Sequence, residues 1–149
     1  MKVSRYYTVL READSFRYDE KVMTPEKAKE FLDNVVSLSN LDREHVVVIH
    51  MNAKGEPIGF ETVAIGGQTA CTLEMKYLFK SAILNNAYAI LMAHNHPTGY
   101  VQPSQEDKEV TKRLIDCGKI LGIQVVDSII VGANNVFSFR KESNLFSNF

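Results

Sequence analysis

The segment His94-Asn95-His96-Pro97, followed by Pro103-Ser104-Gln105-Glu106-Asp107, is the part of this chain best equipped for chemistry. It brings two imidazoles, a hydroxyl and a carboxylate into one short stretch. Three protein ligands with a fourth position left open is the arrangement that separates a catalytic zinc site from a closed structural one. His94 and His96 stand at i and i+2, so in an extended segment both rings project to the same side and can reach one ion. Pro97 keeps the exit from that segment extended.

The carboxylate has to come from the next element. In a helix starting at Ser104, residues Asp107, Val110, Leu114, Cys117 and Leu121 recur at helical spacing and share one face. The last four are apolar, so that face packs inward and carries Asp107 with it from the first turn. An ionised carboxylate is costly there without a partner, and a divalent metal is such a partner. Ser104-x-x-Asp107 also reads as a capping box, with Ser104 as N-cap and Asp107 at the positive end of the helix. The neighbouring His-x-His tips the reading to a metal site with His94, His96 and Asp107 as ligands. Ser104 can serve both as cap and in the site.

Hydrolysis at such a site needs a base. Alternation along the predicted strand 58–65 places Glu61 on the same face as Val63 and Ile65. An acid there is either an edge charge or a functional group. Burial would raise its pKa toward neutrality, which suits a group that takes a proton from metal-bound water. His45 and His50 flank or end the apolar run 46–49. Nothing in their spacing pairs them with His94, so both read as structural or surface residues.

The elements that must position these groups follow from the pattern. Residues 6–10 read as a short strand. Thr24-Pro25-Glu26 is a helix start with Thr24 as N-cap and Pro25 at the first helical position, and the helix runs to about Ser39. Residues 46–49 form a buried strand, turned at 52–55 into a second strand, 58–65, that stops at Gly66-Gly67. Thr72 caps a helix through about Asn85. Residues 88–93 form an apolar strand running directly into His94. The Ser104 helix ends near Leu121, strand 124–131 follows, and the turn 132–135 leads to strand 136–139. Residues 143–149 have no clear assignment. This alternation predicts an α/β fold, a mixed β-sheet flanked by helices.

The whole chain fits these expectations. Its 149 residues suit one domain able to bury a core without disulfides. A net charge of −1 gives no basic excess of the kind that marks a nucleic-acid-binding surface. Cys71 and Cys117 belong to no Cys-x-x-Cys pair and read as buried, reduced thiols of a cytosolic protein. The N-terminus lacks the apolar run of a signal peptide, and no stretch reaches the roughly eighteen apolar residues of a membrane span. Cytoplasmic localisation is the expectation.

Taken together, Glu61, His94-Asn95-His96-Pro97-x-Gly99 and Pro103-Ser104-x-x-Asp107 resemble the JAMM (MPN+) metalloprotease motif. Asparagine between the histidines matches the RadC-like branch of that family. The resemblance extends to 78–82, 129–132 and 137–139, and spans roughly residues 23 to 139. It implies a single JAMM/MPN-like domain of cytidine-deaminase-like architecture over 1–149, with 1–22 an N-terminal extension and 140–149 a C-terminal tail. The chain is similar to the short, stand-alone form, without the N-terminal helical region of full-length members. The resemblance further implies that His94, His96 and Asp107 bind Zn2+, that Glu61 is the general base, and that Ser104 helps stabilise the oxyanion. The implied reaction is hydrolysis of an amide, peptide or isopeptide bond in a peptide or protein substrate.

Two departures from the family pattern bear on substrate recognition and activity rather than on the metal set. Glu74-Met75-Lys76-Tyr77 stands where members commonly carry His-Pro-Arg-Glu, and Asp127-Ser128 where they often carry Asp-His. The alternative function is a non-catalytic metal-binding module of the same fold in a DNA-repair or DNA-processing assembly, a link that comes from the family name alone. A zinc deaminase would need His-x-Glu and Pro-Cys-x-x-Cys, and the chain has neither.

Overall fold

A computed structural model describes residues 1–7, 9–66 and 73–147 of the chain. Its elements run α1 (Pro25–Val36), a 3-10 turn (Leu38–Asn40), β1 (His45–Met51), β2 (Pro57–Ile65), α2 (Met75–Leu84), β3 (Ala89–Asn95), α3 (Gln105–Leu121), β4 (Gln124–Val131), β5 (Val136–Ser138) and α4 (Phe139–Glu142). The strands make one mixed sheet in the order β2-β1-β3-β4-β5. β1 pairs antiparallel with both β2 and β3, β3 pairs parallel with β4, and β5 returns antiparallel on β4. The α/β expectation therefore holds, with helices on both faces.

Alternation along buried strands feeds two apolar layers. On one face Val46, Val48, Met92 and Ile130 pack with Leu78 and Phe79 of α2 and Leu114 of α3. On the other, Val47, Ile49, Leu91 and Ile129 pack with Phe31 and Leu32 of α1. Burying each such side chain contributes roughly 1.5–3 kcal/mol. β3 is buried along its whole length, as expected of a central strand covered on both sides. None of the described helices is long and apolar enough to cross a membrane.

Local chemistry sets the helix ends. Thr24 caps α1, its hydroxyl accepting from the Lys27 amide at 3.2 Å, with Pro25 first in the helix. α1 stops at Val36 rather than Ser39, because Ser37 turns left-handed at φ 53° and a 3-10 turn follows. α2 begins at Met75 after Glu74 as N-cap. The expected cap Thr72, like Cys71 and Gly67, lies outside the described residues. Strand β5 ends at Ser138, whose side chain caps α4 instead, and Phe139 is buried. Of the expected strand over 6–10, Tyr6, Tyr7, Val9 and Leu10 are exposed and belong to no strand, and Thr8 lies outside the described residues.

The inward face of α3 is also rotated from the predicted one. Val110 and Leu114 are buried as expected, yet Leu121 is 47% exposed. Thr111, Ile115 and Gly118 turn inward in its place. A Cβ at Gly118 would lie 2.7 Å from the Ile123 carbonyl oxygen and 2.8 Å from Val125 Cγ2, so only glycine admits this close approach. Asp127, which is buried, accepts from the Ser128 amide, the Ser138 hydroxyl and the Arg140 amide, and so anchors the chain that follows β5.

His50 is structural. Its Nδ1 stands 3.2 Å from Asn85 Nδ2, which can only donate, and its Nε2 stands 3.2 Å from Ser81 Oγ. The ring is therefore neutral, and burial holds its pKa below the ordinary 6.5, with Glu61 opposing. The unfolded chain takes up a proton at this histidine at higher pH than the folded one does. Stability from this group is thus present above 6.5 and lost as pH falls below it. Chemical denaturation from about pH 7 to about pH 5 should show a shallower loss of stability in His50→Gln than in the parent. Equal slopes would refute this assignment.

Candidate metal centre

His94 and Asn95 close β3 at its carboxyl end, the end of parallel strands where α/β sites form. His96 follows immediately, its amide donating to the Val131 carbonyl at 3.3 Å. The extended path puts both rings on one side, as the spacing predicts, with Nε2 of His94 and Nε2 of His96 3.2 Å apart. Asp107 enters from the first turn of α3, its Oδ1 3.2 Å from His94 Nε2 and its Oδ2 3.4 Å from His96 Nε2. Its side chain is only 14% exposed. One donor atom from each residue lies within 4.8 Å of the others, a group that could hold a metal ion.

The capping box and the ligand set coexist. Ser104 Oγ accepts from the Asp107 amide at 3.0 Å, and Asp107 Oδ2 accepts from the Ser104 amide at 2.8 Å. Asp107 is thus anchored by its own helix end while both its oxygens face histidines. Burial alone would push its pKa up, but hydrogen bonds from His94 and His96 outweigh that and hold it well below the usual carboxylate range. The same bond to Asp107 raises His96 above its ordinary value, against the effect of burial. His96 Nδ1 lies 2.9 Å from the Tyr100 carbonyl oxygen, which can only accept. The Nδ1 proton is fixed there, and Nε2 is the atom turned to the site.

Two further carboxylates, the half-buried Glu44 and the exposed Glu106, line a cavity with His94 and Asp107, and Glu61 does not. Glu44 immediately precedes β1, whose Val46 pairs with His94. It shares a cavity of about 20 Å³ with Val46, Met92, His94, Glu106 and Asp107. That is room for roughly one water molecule. Burial pushes the Glu44 carboxyl up, and Asp107 pushes the same way, while His94 and His96 oppose.

Glu61 lies elsewhere. It stands in β2 opposite Val48, is exposed, and lines a separate cavity of about 510 Å³ with His50, Ser81 and Asn85. Two strand spacings, ~10 Å, separate its strand from β3. Alternation placed Glu61 and Val63 on one face, and they share it, Glu61 opposite Val48 and Val63 packed on the same apolar layer. Only Ile65 leaves that face, because Val47 pairs with Thr62 but Val46 with Ala64, leaving Val63 as an extra residue. Glu44 was hidden in the polar run Asp42-Arg43-Glu44-His45. Counting back by two from the inward-facing Val48 and Val46 would have found it.

The loop that carries the ligands is clamped from the other side. Gly99 donates to the His96 carbonyl at 2.9 Å, closing a turn at φ 83°. Gly132, after β4, passes so close that a Cβ there would lie 2.6 Å from the Gly99 carbonyl oxygen.

Residues 22–145 match the family model described as the RadC-like JAB domain. The chain belongs to this family. A UPF0758 protein of Rubrobacter xylanophilus is 43% identical over 108 residues, covering 72% of this chain and 47% of that protein. Another from Symbiobacterium thermophilum is 38% identical over 121 residues, covering 81% of this chain and 51% of that protein. A third, from Chlorobaculum tepidum, is 42% identical over 103 residues, 69% of this chain and 46% of the relative. The chain thus spans about half the length of these relatives. The His-His-Asp group and Glu44 all lie within the matched RadC-like JAB domain.

Proposed function

We propose that this RadC-like JAB domain is a zinc-dependent hydrolase that cleaves an amide bond in a peptide or protein. The observation that carries the reading is the opening of Glu44 and two of the triad residues, His94 and Asp107, on one water-sized cavity. Two imidazoles and a carboxylate suit zinc. Tetrahedral bonds of about 2.0–2.1 Å imply donor separations of roughly 3.4 Å, close to the spacing of the two imidazole nitrogens. Here the two Nε2 atoms stand 3.2 Å apart, and with one Asp107 oxygen the three donors all lie within 4.8 Å of one another.

A divalent ion held by His94, His96 and Asp107 would acidify a water and polarise a carbonyl oxygen. The chain's own groups do the rest. Glu44, its pKa raised by burial, accepts the proton and returns it to the leaving amine. Ser104 uses an oxygen lone pair on the Asp107 amide, so its hydroxyl hydrogen is left to donate to the developing oxyanion. Tyr100, through its carbonyl, keeps His96 in the tautomer that presents Nε2.

The reading is tested by screening purified protein against a peptide library before and after chelation, with zinc added back. Cleavage that disappears with the metal and returns with zinc is expected. A chain that holds zinc stoichiometrically and cleaves no library member would instead be a metal-binding module.

A further inference from the structure

Asn95 sits between the two histidines, and alternation along β3 turns its side chain away from both. It is 1% exposed, so its amide group must find partners inside the protein. It finds them on the segment that carries Glu44. Asn95 Oδ1 accepts from the His45 amide at 2.7 Å, and Asn95 Nδ2 donates to the Arg43 carbonyl at 3.0 Å. These two backbone groups flank Glu44 in the chain.

We infer that Asn95 is a positioning residue that holds Glu44 against the metal site, which rests on the reading of Glu44 as the proton acceptor. The β1–β3 ladder reaches only to the pair Val46 and His94. Beyond it the backbone at 43–45 has no strand partner on that side. The Asn95 carboxamide takes the place of the missing ladder rung, offering one acceptor and one donor as a peptide group would. On the other side the Glu44 carbonyl accepts from the Gly66 amide at 2.7 Å. Glu44 is therefore fixed by backbone bonds before it, after it and at its own carbonyl, and its side chain is left free for chemistry.

The residue type follows from this task. Serine or alanine cannot span from Arg43 to His45. Aspartate keeps an acceptor for the His45 amide but loses the donor to Arg43 and adds a buried charge. Because Asn95 lies on the same segment as His94 and His96, one side chain sets the register between base and metal ligands.

The test compares the parent with Asn95→Ala, Asn95→Asp, Glu44→Gln and Asn95→Ala/Glu44→Gln. It measures zinc per chain, amide hydrogen exchange at His45, and turnover of a library peptide cleaved by the parent. Asn95→Ala should retain zinc, exchange faster at His45, and lose roughly 10- to 100-fold in kcat with KM unchanged. In the Glu44→Gln background the same substitution should cost nothing further, because the two act through one group. Multiplying losses in the double variant, or unchanged turnover despite faster His45 exchange, would overturn the inference. Should Asn95→Ala not fold, Asn95→Asp carries the comparison, with a kcat loss and faster exchange at His45 again expected. If Glu44→Gln keeps parental turnover, the base assignment has failed by itself. The clamp is then judged on exchange at His45 and the carboxyl chemical shift of Glu44 in Asn95→Ala, and parental values of both would overturn it.

Discussion

His96→Ala should leave the protein unable to hold a metal ion at stoichiometric levels. His96 supplies one of the three donors, and no other histidine stands near enough to replace it. His45 bonds the Arg43 carbonyl through Nδ1, and His50 is buried against Ser81 and Asn85. Disturbing a group that merely supports a ligand typically weakens a metal site about 10- to 100-fold, so deleting a ligand should exceed that. The variant also strips Asp107 of one of the two histidine contacts that hold its carboxylate ionised under burial. Elemental analysis after dialysis, or titration with cobalt as a coloured probe, reads the outcome. Equal metal in variant and parent would remove His96 from the site.

Glu44→Gln should separate metal binding from turnover. The substitution is nearly isosteric and leaves the His-His-Asp group intact, so zinc content should match the parent. Hydrolysis should fall by about 10²- to 10⁴-fold, the usual contribution of a positioned acid–base group. Glu61→Gln is the matched control, since it removes a carboxylate of the same kind from β2, where it faces the larger cavity beside His50. It should keep both zinc and activity. If the two variants exchanged behaviour, the assignment of the base would be wrong. Loss of zinc in Glu44→Gln would make Glu44 a fourth ligand.

Much of the metal centre is legible in the sequence because it is local. His-x-His on a strand end and an acid at the third position of the following helix need only alternation, a helical turn and a cap to be brought together. The proposed base, Glu44, is not local. Its approach depends on which strand neighbours β3, and in what register, and neither is written in the run Asp42-Arg43-Glu44-His45. Alternation gave Glu61 its correct face, but not that β1 stands between its strand and β3; the irregularity near Val63 moved only Ile65 off that face. The fold class followed from the succession of elements. The sheet order, the end of α1 at the left-handed Ser37 and the rotated face of α3 depend on tertiary packing, with close contacts such as that at Gly118 deciding between neighbouring solutions.

The division between a local ligand set and a remote base also sets an order of events in time. Residues 94–107 come together within one strand, loop and helix turn, a contact of short range that costs little loop-closure entropy. Glu44 arrives only when β1 zips onto β3 and Asn95 captures the backbone on either side of it. On the proposed reading, the ligand set would be complete before the base is brought to it. Closure of the central strand pair is the step that sets Glu44 beside His94 and Asp107.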